Sequence, residues 1–326
     1  MTDFHLSRRM MVSAGLAGLS FASPVTRALA QGAENRAILP SVGAPADESA
    51  PVDVMTMDDK VQRLTAPVMI NGQGPFDFFL DTGATRSAIS SGLAAQLGLA
   101  RGAPVKVYTM TGAQETPTVM LDALQVGDRV QRRLTVPVLP TLGLRADGVL
   151  GVDWLKGERL TIDFMKERLE IRKPGRDTMA SGGSVVPARL RSGQLTIIDA
   201  EMNGRGTINA MIDTGSEVSI GNDLLRALAG RENAKFEDEM RFVDLVDASN
   251  RQFKGELGYL PFVRIGGVQF GNLGVVFASS MPLLKLWGMD KQPSVMMGMD
   301  VMRQFAKVEM DFGQSKVGFT MRQAQA

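Results

Sequence analysis

Asn71-Gly72-Gln73-Gly74-Pro75-Phe76-Asp77-Phe78-Phe79-Leu80-Asp81-Thr82-Gly83-Ala84 carries a hairpin turn, an apolar run and an acid in immediate succession. Asn-Gly is a hairpin signal because both residues tolerate left-handed backbone. Residues 76–80 read as a buried strand that ends at Asp81. The same order recurs downstream: Asn203-Gly204-Arg205-Gly206, the mostly apolar run 208–212, then Asp213-Thr214-Gly215-Ser216. The offset is 132 for the turns (203 against 71) and for the acids (213 against 81). It also carries Ser87 onto Ser219, Ser90 onto Asn222 and Gly98 onto Gly230. Two copies of one unit follow from this match.

Each copy continues with a short helix. Ser90 or Asn222 caps it, Leu93 and Leu97 (Leu225 and Leu228 in the second copy) face inward, and Gly98 or Gly230 stops it. A second matched block closes each copy. Val149-Leu150-Gly151-Val152-Asp153 pairs with Met296-Met297-Gly298-Met299-Asp300 at offset 147, and Ile162-Asp163-Phe164 with Met310-Asp311-Phe312 at 148. The second copy therefore holds about fifteen extra residues, with 231–240 and 287–294 as the places for them. Between the blocks the pattern alternates as in strands. Residues 105–111 and 116–121 flank a turn at 111–115; residues 241–247 and 252–257 flank one at 248–251. Gly127-Asp128 and Gly266-Gly267 mark later hairpins. The expected organisation is all-β: domains over 61–173 and 185–322, joined by a linker at 174–184.

Composition removes several kinds of chemistry. Hydrophobic residues make up 44% and charged residues 22%, which supports ordinary globular domains with a substantial core. The balance of 36 Lys+Arg against 35 Asp+Glu offers no basic field for nucleic acid. There is no cysteine, and the one histidine is His5. Without His or Cys in the folded part, Ser-His-Asp and Cys-His catalysis and histidine-ligated zinc are excluded there. The chemistry falls to carboxylates or lysine. Met296, Met297, Met299 and Met302 read as core filling and not as a soft-metal site, and no cofactor or metal is expected.

Residues 1–30 read as an export signal. Ser7-Arg8-Arg9-Met10-Met11-Val12 resembles the bacterial twin-arginine signature, a short apolar stretch follows, and Ala28-Leu29-Ala30 fits a small-x-small cleavage site. The expected location is periplasmic or secreted, with a membrane tether if the signal stays on. Cleavage before Gln31 removes Arg8, Arg9, Arg27 and Asp3 and turns a net charge of +1 into −1. Residues 31–60 lack a sustained period and read as a flexible lead-in.

The two Asp-Thr-Gly-Ala/Ser motifs, each after an apolar strand and before an apolar-apolar-Gly block, resemble the retropepsin-like aspartic peptidases. Two units in one chain look like the pepsin arrangement. The resemblance implies two closed β-barrel domains about a pseudo-twofold axis, with short helices after each Asp-Thr-Gly loop. It implies Asp81 and Asp213 as the catalytic pair, supported by Thr82, Gly83, Ala84, Thr214, Gly215 and Ser216. By the same resemblance the threonines hydrogen-bond across the interface. It also implies a hairpin flap at 108–118, with Tyr108, Thr111 and Gly112 near substrate, and a counterpart at 247–254.

The expected reaction is hydrolysis of an extended polypeptide by water activated between two carboxyls that share one proton. The glycines let backbone amides approach the carboxylates. At the fourth position, Ser216 has a hydroxyl that Ala84 lacks. Its expected donation to Asp213 would favour the Asp213 anion and leave Asp81 the more easily protonated. The competing readings are a non-catalytic peptide-binding module and a domain-swapped dimer; the intact linker favours a monomer.

Overall fold

The computed structural model describes residues 10–11 and 52–54 and, from 64 to 322, all but 140–145, 175–178, 180–182, 192, 198–199, 203, 205, 248, 250 and 279–281. The signal and lead-in thus lie almost wholly outside the described residues, as do Asn203, Arg205, Ala248, Asn250 and much of the linker. Two short pieces of the first sixty residues are strands. Met10–Met11 pairs in parallel with Leu245 and Val246. Val52–Val54 pairs antiparallel with Leu169–Ile171, its alternating Val-Asp-Val fitting a sheet edge. The lead-in is therefore not irregular throughout.

Each half is a nearly closed β-barrel, and the two barrels share one strand order. In the first, Thr65–Ile70, Gln73–Leu80, Gly148–Leu150, Ala88–Ser90, Arg129–Leu139, Gly112–Val126 and Arg101–Thr109 lie side by side. In the second, Gln194–Ile197, Asn209–Ile212, Ser294–Met297, Ile220–Gly221, Val268–Phe277, Gln252–Ile265 and Arg241–Val246 follow in the same order. Closure is repeated too. Thr65–Ile70 pairs with Gly112–Val126, and Ala200–Met202 with Gln252–Ile265.

The strand that ends at each acid is buried by a parallel neighbour. Phe78, Phe79 and Leu80 pair with Gly148, Val149 and Leu150; Asn209 to Ile212 pair with Ser294 to Met297. Phe78, Phe79 and Leu80 are at most 1% exposed, each contributing about 1.5–3 kcal/mol by burial. Gly148 is required here, because a Cβ would stand 2.1 Å from the Phe78 ring.

The halves join through a shared sheet. Arg159–Asp163 pairs with Arg168–Arg172 on one side and with Phe305–Asp311 on the other; Lys316–Met321 and Ser184–Arg191 continue it. Thr161 pairs with Glu309, its own counterpart at offset 148. The pseudo-twofold axis passes through that pair, and the main apolar core runs from one barrel to the other through this sheet.

Local differences from the sequence reading have local causes. The first flap turns at Met110-Thr111, with Thr109 paired to Gly112, rather than over 111–115. Gly112 takes φ +142°, so the glycine closes the turn instead of centring it. Gly98 ends its helix at φ +63°, but Gly230 lies inside Asp223–Glu232. That helix runs on to Asn233, and Phe236 just beyond packs edge-to-face on Phe277. The two candidate insertion sites hold turns, at 234–239 and 287–293, and a helix over Pro282–Leu286 precedes the second.

Candidate active site

The two acids end equivalent strands. Each backbone N–H donates to the neighbouring parallel strand, Asp81 to the Leu150 carbonyl (2.9 Å) and Asp213 to that of Met297 (2.9 Å). Both side chains are fully buried. The halves are fastened at the adjacent threonines. Thr82 Oγ1 donates to the Ile212 carbonyl (2.9 Å) and accepts from the Thr214 amide (3.0 Å). Thr214 Oγ1 donates to the Leu80 carbonyl (2.8 Å) and accepts from the Thr82 amide (3.0 Å). Each hydroxyl thus donates once and accepts once, so four buried bonds fix the loops face to face.

The glycines set how closely the carboxyls meet. A Cβ on Gly83 would stand 2.6 Å from the Asp213 carboxyl, and one on Gly215 2.4 Å from that of Asp81. The same residues orient the acids: the Gly83 amide donates to Asp81 Oδ1 (2.8 Å) and the Gly215 amide to Asp213 Oδ1 (2.8 Å). Burial first, and then the Asp81 charge beside it, pushes the Asp213 carboxyl well above the ordinary carboxylate range.

Ser216 behaves differently from the sequence reading. Its hydroxyl donates to the Val218 carbonyl (2.7 Å), a local bond two residues away, and not to Asp213. The asymmetry comes instead from Ala84, whose amide adds a second own-loop donor to Asp81 Oδ1 (3.0 Å). On the other side the Ser216 amide reaches the Asp213 main-chain carbonyl at 3.4 Å. Asp81 Oδ1 thus has two amide donors in its own loop, and the fourth position contributes there through its main chain and not through a hydroxyl.

A second tier holds both loops, and sequence reasoning did not give it this role. The Ser87 amide and hydroxyl donate to Asp153 (2.9 and 2.8 Å), and the Gly151 amide donates to Ser87 Oγ (3.1 Å). Ser219, Asp300 and Gly298 repeat the arrangement (2.9, 2.9 and 3.1 Å). Both serines and both acids are among the repeat matches, and that joint recurrence was the available signal. Gln194 has no such signal. It is fully buried in an apolar strand, and its Nε2 donates to the Gly83 carbonyl (3.2 Å).

Comparison with known families decides what this pair of loops belongs to. A family model described as gag-polyprotein putative aspartyl protease matches residues 66–157. A second, described as aspartyl protease, matches residues 198–301. The chain belongs to the retropepsin-like aspartyl proteases, with two halves in tandem. No curated protein sequence matches it.

The two flap hairpins of the chain touch each other. The second is the hairpin of Arg241–Val246 and Gln252–Ile265. Asp247 at its turn is fully buried, and Asp247 Oδ2 accepts from Thr109 Oγ1 (2.8 Å), the Thr111 amide (3.2 Å) and Thr111 Oγ1. Asp247 Oδ1 accepts from the Ser249 amide and hydroxyl (2.9 and 2.7 Å) and the Arg251 amide (3.0 Å). Met110 seals the contact, 2% exposed within an apolar cluster that includes Leu245, Leu283 and Trp287 of the second half. Of the flap residues singled out in the sequence, Thr111 belongs to this latch, Gly112 closes the turn, and Tyr108 lines a cavity beside the dyad.

Burial raises the Asp247 carboxyl, but the donors, led by Thr111, Ser249 and Thr109, outweigh it and leave it below the usual range. A depressed folded value stabilises the latch above the unfolded value, and that contribution is lost as pH falls through the folded one. The flaps are thus held together through neutral and mildly acidic pH. Asp247→Ala is expected to speed hydrogen exchange at the Thr111 and Arg251 amides by about tenfold or more, the scale of one charge-assisted bond. Unchanged protection at both amides would show that Met110 packing alone holds the flaps.

Proposed function

We propose that the chain is an aspartic endopeptidase that hydrolyses an extended polypeptide laid between its halves. The observation that carries this reading is the buried Asp81–Asp213 pair, held face to face by the threonine bonds. Two carboxyls so placed hold one proton between them. The ionised member, favoured at Asp81 by the Gly83 and Ala84 amides, takes a proton from water as it attacks the scissile carbonyl. The protonated member, favoured at Asp213, hydrogen-bonds the carbonyl oxygen as it becomes an alkoxide and then supplies the departing amine. No covalent intermediate forms. Strands flanking the cleft offer backbone groups to an added peptide strand, whose alternate side chains face opposite walls. Opening the flap latch admits substrate, and closing it excludes bulk water.

The test is digestion of a diverse peptide library by the full chain at pH 4 to 7 in H₂¹⁸O. One ¹⁸O is expected in each new carboxyl terminus, with no hydroxamate formed when hydroxylamine is added. Hydroxamate would mean an acyl-enzyme and sink the direct-water mechanism. Tight binding without any new termini would replace the peptidase reading with a peptide-binding one.

A further inference from the structure

Gln194 is a buried polar group beside the dyad to which the reaction assigns no part. It opens the strand Gln194–Ile197, at the Asp213 end of Asn209–Ile212: Thr196, two residues on, pairs with Met211, two residues before Asp213. Its fully buried side chain crosses to the first half, where Nε2 donates to the Gly83 carbonyl (3.2 Å). Only the nitrogen end of a carboxamide can meet a carbonyl, which fixes the orientation of the group. Oε1 then faces the interior with no donor among the described residues. The turn that delivers Gln194 is seated on the first half as well. Gly193 takes φ +93°, and a Cβ there would stand 2.7 Å from Val152 Cγ2. Val152 in turn donates its amide to the Ala84 carbonyl (2.9 Å).

The Gly83 carbonyl and the Ala84 amide belong to one peptide unit. Being planar and trans, the unit points its C=O and its N–H in opposite directions, so holding one aims the other. The N–H lies on Asp81 Oδ1 (3.0 Å), with the Asp81 main-chain carbonyl at 3.2 Å as the competing acceptor. In the second loop the Ser216 amide takes the competing acceptor, the main-chain carbonyl of Asp213 (3.4 Å). A packing role alone is better filled by methionine, which has the length of glutamine and no acceptor to strand in a dry interior.

We propose that Gln194 is a positioning residue for the dyad: reaching over from the second half, it holds the Gly83–Ala84 peptide so that the N–H stays on Asp81 Oδ1. Without it the amide turns to the main-chain carbonyl, as at Ser216, and the Asp81 carboxyl loses one of its donors. Gln194 acts through the peptide and not on the reacting atoms. A donor favours the ionised form, so losing one raises the pH at which the pair takes up its second proton. The other charged groups at the loops are Asp153 with Arg86, and Asp300 with Arg303 and Glu217, and a change at Gln194 leaves all of them in place. The kinetic consequence rests on the dyad being the hydrolytic site, but the titration of the dyad does not.

The test compares the full-length chain with its Gln194→Met and Gln194→Glu variants. The dyad is titrated in the free protein through ¹³C-labelled aspartate carboxyls, assigned with Asp81→Asn and Asp213→Asn, and kcat/KM is followed over the same pH range. In Gln194→Met the lower apparent pKa of the pair and the acid limb of kcat/KM are expected to rise together by about one unit, the scale of a lost bond to a charged group. Cleavage below the limb then falls about tenfold. In Gln194→Glu the buried carboxyl stays protonated and donates as the amide did, which returns both values toward wild type. Should Gln194→Met not fold, Gln194→Asn, one methylene short of the carbonyl, gives the same reading. An unmoved titration in Gln194→Met, or a Gln194→Glu variant shifted as far as Gln194→Met, overturns the positioning role and leaves Gln194 as packing. Cleavage with an unmoved acid limb also overturns it while leaving the peptidase reading intact. A shifted titration without cleavage by any of the chains leaves the positioning role standing and removes the peptidase reading.

Discussion

Asp213→Asn is expected to reduce peptide cleavage by about 10³–10⁴-fold, the scale of a lost general acid–base group. Asp81→Asn should do the same, because the shared proton needs both carboxyls. The second consequence of Asp213→Asn has the opposite sign. The folded-state value of Asp213 lies well above the unfolded one, through burial first and the neighbouring Asp81 charge second. An acid raised in this way binds more protons folded than unfolded, so its contribution to stability falls as pH rises across that window. Above the raised value the destabilisation is complete. Asparagine removes it while keeping the side chain's shape and an acceptor for the Gly215 amide. Asp213→Asn should therefore melt above wild type at pH 7, with the gain shrinking toward pH 4. Thermal scans at three pH values, beside cleavage assays, measure both effects. A variant inactive because it is unfolded, or one that keeps a tenth of wild-type turnover, would contradict the assignment. Simultaneous loss of activity and gain of stability is the mark of a strained functional pair.

Most of what positions that pair was legible because it was local or repeated. The turns at Asn71-Gly72, Gly127-Asp128 and Gly266-Gly267 lie where their residues permit positive φ. Ser90 and Asn222 cap their helices by accepting from Leu93 and Leu225 at 3.0 and 2.8 Å. The 132-residue offset aligned the two loops, and the same spacing separates Thr82 from Thr214 in the bonds that join them. What escaped the sequence depends on contacts between distant positions that no period links. Asp247 meets Thr109 across 138 positions, and it has no identical counterpart in the first flap. Gln194 meets Gly83 across 111. The helix at Pro282–Leu286 lies just ahead of residues 287–294, where the repeat offsets allowed extra chain but gave it no form. The direction of the Ser216 hydroxyl was misread for a related reason. Two acceptors lay within reach, and only the folded turn shows that Val218 takes the bond.

Arg159→Met is expected to be among the most destabilising single changes in the chain. Arg159 and Asp311 lie in the shared sheet that joins the halves, paired in register beside the pseudo-twofold axis. Arg159 Nε and Nη2 each stand 3.0 Å from Asp311 Oδ2, with the two side chains 1% and 0% exposed. Removing the cation leaves a carboxylate in a dry sheet, a loss of about 3–5 kcal/mol. At two to four degrees per kcal/mol for a chain of this size, the melting temperature should fall by roughly 10 °C. Asp311 has a second duty, because its Oδ1 accepts from the Gly313 and Gln314 amides (3.0 and 2.7 Å) and so shapes the turn into the last strand. The compensating change must keep that acceptor, and asparagine does. Arg159→Met/Asp311→Asn should recover most of the loss, since neither a buried charge nor an uncapped turn remains. Asp311→Ala should be worse than Arg159→Met, because it strands the guanidinium and frees the turn together. Asp311→Asn alone, with wild type, Arg159→Met and the double variant, completes a cycle of four melting temperatures. If the double variant is no more stable than Arg159→Met, the pair acts through packing and not through charge. If Arg159→Met lies within 1 kcal/mol of wild type, the shared sheet does not depend on the ion pair, and the threonine bonds above it carry the junction between the halves.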